Sequence, residues 1–326
     1  MSRNVCITAV DGHTGFLIAE LILKHRDFSR KVNSVVGLTL HPDSDRAKEL
    51  KELGATIVQH DPGRLRIVTR TLKDINCGTI CLVPPAHQDK FEICEELATA
   101  AKRADIPNVC LISSEGCDYA EREKQPRLRE FIDLESLVLE AKGDAENLLL
   151  YAPQAKEEGH LPLPIGKNHK FAPVALGDVA HVAAHVLTGK GKHGFDDKHR
   201  GQMMVVTGPM LCAGAELATA ASKALGTELQ FENISEYAPT IFSLQSQTLI
   251  LDYRAEARKV LKAQSVITVR AAIHPRVLQP CAGGQNYIST TAFHDVTGEH
   301  PTEPENFFQM YQSEMRPKKK AKHEHK

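Results

Sequence analysis

Apolar and β-branched residues run almost unbroken over residues 4–10 and 32–40. Between these runs, apolar positions recur at helical spacing at Phe16, Leu17, Ala19, Leu21, Ile22 and Leu23. Short continuous runs suit strands buried on both faces, and the three-to-four spacing suits a helix with one face on a core. The alternation continues with a helix over 45–53, a strand over 55–59, a helix over 65–75, and a strand over 79–83 closed by Pro84 and Pro85. A helix over 88–103 and a strand over 108–113 follow. His41, Pro42, Asp43 and Ser44 supply a turn and a cap ahead of the helix at residue 45. Five strands alternating with four helices predict an α/β fold built on a doubly wound parallel sheet.

The pattern then loosens. Residues 161–166, with prolines at 162 and 164, read as a turn-rich connector. After it come a short apolar stretch at 171–174 and a helix over 177–187, in which Asp178 is the expected cap. A polar loop over 189–201 precedes a strand at 205–208, a helix at 215–225 and a strand at 229–233. This division predicts a Rossmann-like domain over 1–150, a smaller C-terminal α/β lobe over 151–315 interwoven with it, and a basic tail over 316–326.

Between the first strand and the first helix lie Asp11, Gly12, His13, Thr14, Gly15 and Phe16. A strand, a glycine-containing turn and a helix form the setting of a dinucleotide site. Gly12 would permit the tight turn, Gly15 the approach of backbone N–H groups to a pyrophosphate, and the helix N-terminus adds partial positive charge.

On these residues the chain resembles the NmrA-like family, atypical relatives of the short-chain dehydrogenases. The likeness continues through Ala47, Lys48, Glu49 and Leu50, the Leu53-Gly54-Ala55 helix end, the His60-Asp61 pair and Glu146-Asn147-Leu148-Leu149. It resumes at 174–187, 205–209 with Glu216, and Thr297-Gly298 through Phe308. The resemblance implies NAD or NADP as cofactor, a Rossmann-like fold, and contacts from Gly12, His13, Thr14, Gly15, Phe16, His41, Asp61, Pro84 and Asn147. It also implies regulation through a protein partner, a transcription factor among them, or NADPH-dependent reduction of a small carbonyl or quinone-like compound.

Several positions depart from the family pattern. Ile18 stands where the turn's third glycine is expected, and a β-branched side chain there should push the helix outward or need a matching gap. Leu40 and His41 stand where an arginine would pair with a 2′-phosphate, so NAD and NADP are not distinguished. Ser113 matches the family's serine after the fifth strand, but Tyr119 is followed four residues later by Glu123 in place of lysine, and a carboxylate raises a phenol's pKa. Phe131 occupies the other lysine position used by reductases. Ser113, Tyr119 and Lys142 remain as weak catalytic candidates, with Lys124 a further surface lysine. Residues 142–147 leave no room for the family's sixth strand, which would leave the sheet edge open unless a homodimer covers it.

Composition changes this picture in two respects. The chain has 326 residues, 42% hydrophobic and 25% charged, enough for one large core or up to two domains, and has no 18-residue apolar run. Neither a membrane span nor a secretory leader is expected, and the eight cysteines read as reduced thiols. His181 and His185 form a helical i, i+4 pair, but no spacing marks a metal site. The net charge of −1 splits into +5 on residues 316–326 and −6 on the remainder. The acidic remainder disfavours direct nucleic-acid binding, and the tail lysines suit nuclear import. The leading expectation is a cytoplasmic and nuclear NAD(P)-binding regulator or redox sensor with weak or no catalysis. The reductase is the alternative.

Overall fold

The computed structural model describes residues 3–114, 117, 126–138, 159–163, 170–189, 204–233 and 289–316. Five parallel strands, β1 (Asn4–Thr8), β2 (Ser34–Thr39), β3 (Thr56–Gln59), β4 (Cys77–Leu82) and β5 (Asn108–Leu111), lie in the order β3-β2-β1-β4-β5. Between them run α1 (His13–Lys24), the short α2 (Arg26–Ser29), α3 (Asp45–Glu52), α4 (Leu65–Asp74) and α5 (Lys90–Arg103). Helix α6 (Pro126–Val138) follows β5. This is the doubly wound sheet that the alternation predicts. Residues 142–147, where the sequence leaves no room for a sixth strand, lie outside the described residues, as does the boundary at residue 150.

The central strands are apolar throughout because both of their faces are covered. On one face Val5, Ile7, Cys81 and Val83 pack with Ile18, Ala19 and Ile22 of α1 and Phe28. On the other, Cys6, Ile80 and Leu82 pack with Val68 and Leu72 of α4 and with Ile93, Cys94 and Leu97 of α5. The helix Leu176–Leu187 joins the first core through Ala180, Ala183, Ala184 and Leu187. A segment from beyond residue 150 is thus integral to the sheet's packing.

A second core lies around the helix Gly214–Leu225, where Leu217, Ala221 and Leu225 pack with Phe307, Phe308 and Met315. Two small sheets flank it: β6 (His160–Leu163) with β9 (Gln230–Asn233) in parallel, and β7 (Lys170–Phe171) with β8 (Cys212–Ala213) antiparallel. Residues 160–163 are therefore a strand and not a connector. In a two-stranded sheet every strand is an edge, where a proline such as Pro162 is tolerated.

Residues 205–208 are not a strand. Their polar groups are taken up by a distant residue: Thr290 Oγ1 donates to the Val205 carbonyl at 2.5 Å, and its N–H donates to Thr207 Oγ1 at 2.9 Å. Ser44 caps α3 as expected, accepting from the Ala47 N–H at 3.3 Å. Asp178 does not cap its helix, whose N-cap is Ala175. Its carboxylate instead accepts from the Thr302 N–H at 2.8 Å and the Thr302 hydroxyl at 2.7 Å, a clamp across 124 residues. Burial raises its pKa, and the two bonds from Thr302 work against that rise.

Among the described residues no helix is long and apolar enough to cross a membrane. No cluster of three or more His, Cys, Asp and Glu among them is placed to hold a metal ion. His181 and His185 share a face, but their rings pack edge-on at 4.9 Å between centroids, and both rings pack against Phe28. Burial, then His181 and Lys31, push the His185 pKa down to about 4, with Glu299 opposing and His25 adding a little. The unfolded chain therefore binds a proton on this residue at higher pH than the fold does, so stability is full above about 6.5 and falls as pH drops toward 4. His60, lowered by burial against Glu96 and Asp61, acts in the same sense. Replacing His185 with leucine should reduce the loss of melting temperature between pH 7 and pH 5, by the equivalent of about 1 kcal/mol after solvent screening. An unchanged slope would contradict this packing role.

Candidate functional site

The chain order of the sheet reverses between β1 and β4. In such folds a ligand crevice lies beyond the carboxyl ends of the strands at this reversal. Thr8 closes its floor: its hydroxyl donates to the Val83 carbonyl at 3.1 Å and accepts from the Val83 N–H at 2.8 Å. One buried side chain thus extends the β1–β4 pairing past the last ladder residues and leads Pro84, half-buried, into the crevice wall.

After Thr8 the chain turns sharply. Ala9 takes the left-handed conformation with φ +49°, the Gly12 N–H donates to the Ala9 carbonyl at 3.0 Å, and Gly12 is the N-cap of α1. No side chain caps α1, so the N–H groups of its first turn, at His13, Thr14 and Gly15, are directed at the crevice. A Cβ on Gly15 would lie 2.5 Å from the Ala9 carbonyl oxygen and 2.7 Å from that of Thr8, whereas one on Gly12 would meet only the Ala9 oxygen, at 3.2 Å. Gly15 is the residue that lets the helix lie on the strand.

The motif is therefore framed differently from the sequence expectation. The tight turn is made at Ala9, and the glycine that packs the helix on the strand is Gly15. Ile18 is not a displaced third glycine. Its side chain is fully buried among Val5, Ala19 and Ile22, and it neither pushes α1 outward nor needs a special gap. Phe16 is half-buried against the same core.

The arginine absent from the end of β2 arrives from the first turn of α3. Arg46, half-buried, donates from Nη1 to the Asp11 carbonyl at 3.1 Å and from Nη2 to His13 Nε2 at 2.6 Å. Arginine can only donate, so His13 Nε2 accepts and its ring is neutral here. Burial lowers the Arg46 pKa from its ordinary value, opposed by Asp11, and the guanidinium remains charged. A cation in the first turn runs against the helix dipole. That mismatch was the signal in the sequence that could have marked Arg46. His41 is exposed, its N–H bonded to Thr39 Oγ1 at 3.0 Å. Asp61 is also exposed beyond β3 and accepts from Gln59 at 2.8 Å.

On the far side of the crevice, Ser113 does not present a free hydroxyl. It donates in a short hydrogen bond to Oε1 of the buried Glu135 on α6, and Cys117 Sγ is 3.4 Å from the same oxygen. Phe131, one turn before Glu135, is buried beneath the ammonium of Lys90, which lies 3.9 Å from its ring centroid. Lys90 is fully buried and donates to the Arg127 carbonyl at 2.5 Å, with Glu130 Oε2 at 3.2 Å. Burial lowers its pKa, with Glu130 pulling the other way. Arg127 in turn donates to the His87 carbonyl. These bonds fasten the segment between β4 and α5 to α6. Tyr119, Lys142 and Asn147 lie outside the described residues.

Strand order, glycine turn and crevice define a dinucleotide-type Rossmann fold of the kind found in NmrA-like proteins and their reductase relatives. No family model matches the chain. An NAD(P)H azoreductase of Xenophilus azovorans is 29% identical over 201 residues, 58% of this chain and 66% of that protein, so the match spans just under two thirds of the relative. An NADPH-dependent quinone oxidoreductase of Escherichia coli, solved with NADPH, superposes with a TM-score of 0.69 at 19% identity, over 94% of this chain and 99% of that one. The negative transcriptional regulator NmrA, solved with NADP, superposes with a TM-score of 0.57 at 14% identity, over 71% and 74%.

The reframed motif has measurable consequences. Ala9→Gly should stabilise the fold by up to about 1 kcal/mol by relieving the left-handed alanine. Gly15→Val should destabilise it severely even without ligand, and Ile18→Gly should cost about 4 kcal/mol or more through the lost core volume and helix propensity. Urea unfolding midpoints check all three. A Gly15→Val protein as stable as the parent would overturn the packing role.

Proposed function

We propose that the chain binds NADPH in the crevice between β1 and β4 and reduces a quinone or azo-type compound there. The carrying observation is the Arg46 guanidinium held against the Asp11–His13 turn, a fixed positive charge beside a helix N-terminus. The residues present fit the cofactor. Gly12 leaves the turn open, the first-turn N–H groups of α1 can hold a pyrophosphate, and a planar guanidinium matches a 2′-phosphate with paired hydrogen bonds. When bound, NADPH supplies the hydride.

The protein's contribution is positional. Thr8 fixes the spacing of β1 and β4, and the Lys90–Arg127–His87 chain of bonds fixes the wall after Pro84. Quinone and azo acceptors take up hydride readily and can collect their proton from water, so this chemistry does not need a lysine-activated tyrosine. The azoreductase and quinone reductase relatives support this reading.

A second reading, a regulator that binds the dinucleotide without turning it over, is favoured by Ser113. Its hydroxyl is engaged with Glu135 and not offered to a substrate. Under that reading a protein partner, of which a transcription factor is one class, responds to the bound state, and a homodimer is one form it could take.

Calorimetry and turnover assays separate these readings. NADPH should bind more tightly than NADH, and Arg46→Gln should weaken NADPH about 10- to 100-fold while changing NADH less, since a hydrogen bond to a charged group is worth about 1.5–3 kcal/mol. Oxidation of NADPH with a panel of quinones and azo dyes supports the reductase. Binding without turnover supports the regulator, and absence of binding refutes both.

A further inference from the structure

Cysteines cluster on the central strands: Cys6 on β1, Cys77 and Cys81 on β4, Cys110 on β5. Among them Cys81 and Cys110 are direct register partners on neighbouring parallel strands, so their side chains leave the sheet on the same face, toward the α1 side. The register partners of Cys6 and Cys77 are Ile80 and Asn4, so that pair is offset and not directly opposed.

We propose that Cys81 and Cys110 form a reversible disulfide between β4 and β5 when the protein meets a hydroperoxide. Neighbouring strands lie about 4.8 Å apart, within the roughly 4.4–6.8 Å between Cα atoms that a disulfide needs. Side chains of directly opposed residues stand about as far apart as their backbones, somewhat beyond the usual Cβ separation of about 3.8 Å. The bond therefore forms with some strain and is readily reduced again.

The two sulfurs differ in role. Cys81 is fully buried, whereas Cys110 is half-buried at the outermost described strand. The neighbouring Cys81 thiol holds the Cys110 pKa below its ordinary value, while Cys110 and burial raise that of Cys81. Cys110, the more exposed of the two, is thus the thiolate that attacks the peroxide. Its sulfur takes one oxygen as the O–O bond breaks, giving a sulfenic acid, and the other oxygen leaves as water or alcohol. The Cys81 sulfur then attacks the Cys110 sulfur, the S–O bond breaks, and a second molecule of water departs with the Cys81 proton. Two electrons have passed from the sulfur pair to the peroxide.

The pair lies directly beneath the crevice. Cys81 is two residues before Val83, which Thr8 holds, and Cys110 is three before Ser113. Drawing β4 and β5 together at this point shifts the wall that these residues position. A dinucleotide readout of that shift rests on the proposed cofactor, but the cross-link itself does not.

The test is hydrogen peroxide titration of the purified full chain, followed by non-reducing peptide mapping. The expected product is monomer lighter by two hydrogens, with the Cys81 and Cys110 peptides linked and released by low-millimolar dithiothreitol. Cys110→Ala and Cys81→Ala should each abolish the link, and Cys77→Ala should leave it intact. If either alanine variant is unstable, differential alkylation of the wild type, in which the two cysteines lose label together, decides the same point. Linkage of Cys6 to Cys77 or to any other cysteine, linkage between chains, or direct oxidation of Cys110 to sulfinic acid with Cys81 still free would overturn the proposal. A severalfold change in NADPH affinity on oxidation extends it to the crevice, and an unchanged affinity confines it to the sheet.

Discussion

The crevice depends on one close approach, that of α1 to the end of β1. At Gly15 the helix lies against the carbonyl oxygens of Thr8 and Ala9 with no room for a side chain. Only at that distance can the chain leave β1, reverse within Ala9–Gly12 and enter the helix with its first-turn N–H groups pointing past the strand ends. The reversal forces Ala9 into the left-handed region and drives Val10, fully buried, over β2. There Gly37 provides the matching space: a Cβ at Gly37 would lie 2.8 Å from a Val10 methyl. The turn is thus set by three contacts on neighbouring strands, and the site's geometry follows from helix–strand packing.

The first five strands and four helices were legible because strands buried on both faces must be apolar along their length, and the covering helices must carry a three-to-four stripe. The later elements were not. β7 and β8 are two residues long, too short for any period, and β6 contains a proline that pattern reading takes as a break. The framing of the glycine motif was illegible for a different reason. Glycines at 12 and 15 fit a run starting at 9 as well as one ending at 18, and what decides between them is a backbone angle and a carbonyl contact. Arg46 was missed because the expected position lay at the strand end. The guanidinium reaches the same turn from six residues further on, across a Pro-Asp-Ser corner.

Two charged clusters on α6 govern the opposite wall. Burying an ion is unfavourable unless its hydrogen-bonding capacity is satisfied, and removing one partner of such a set destabilises more than the set contributes. Glu135 is matched by Ser113 and Cys117. Lys90 is matched by the Arg127 carbonyl, Glu130 and the Phe131 ring. Each cluster joins a segment leaving the sheet to the same helix, one after β4 and the other after β5. Ser113 and Lys90 therefore have a structural explanation independent of catalysis. Ser113 is a catalytic candidate in sequence and Phe131 stands where a lysine was expected, yet in three dimensions both help define a rigid wall.

That rigidity bears on how a charged ligand can be bound. Arg46 is already half-buried and oriented by Asp11 and His13 before any ligand arrives. Most of the entropy of fixing a long side chain, and part of its desolvation penalty, is therefore met in folding. A phosphate entering beside it gains a charge-assisted hydrogen bond without having to order its partner. The same guanidinium braces the turn that carries the α1 N–H groups, so ligand affinity and turn stability are properties of one set of bonds. A ligand without the extra phosphate still meets an ordered turn but leaves a half-buried cation with less compensation. On the proposed function, discrimination between the two nicotinamide dinucleotides would come from the extra charge-assisted bond to Arg46, and not from a steric filter.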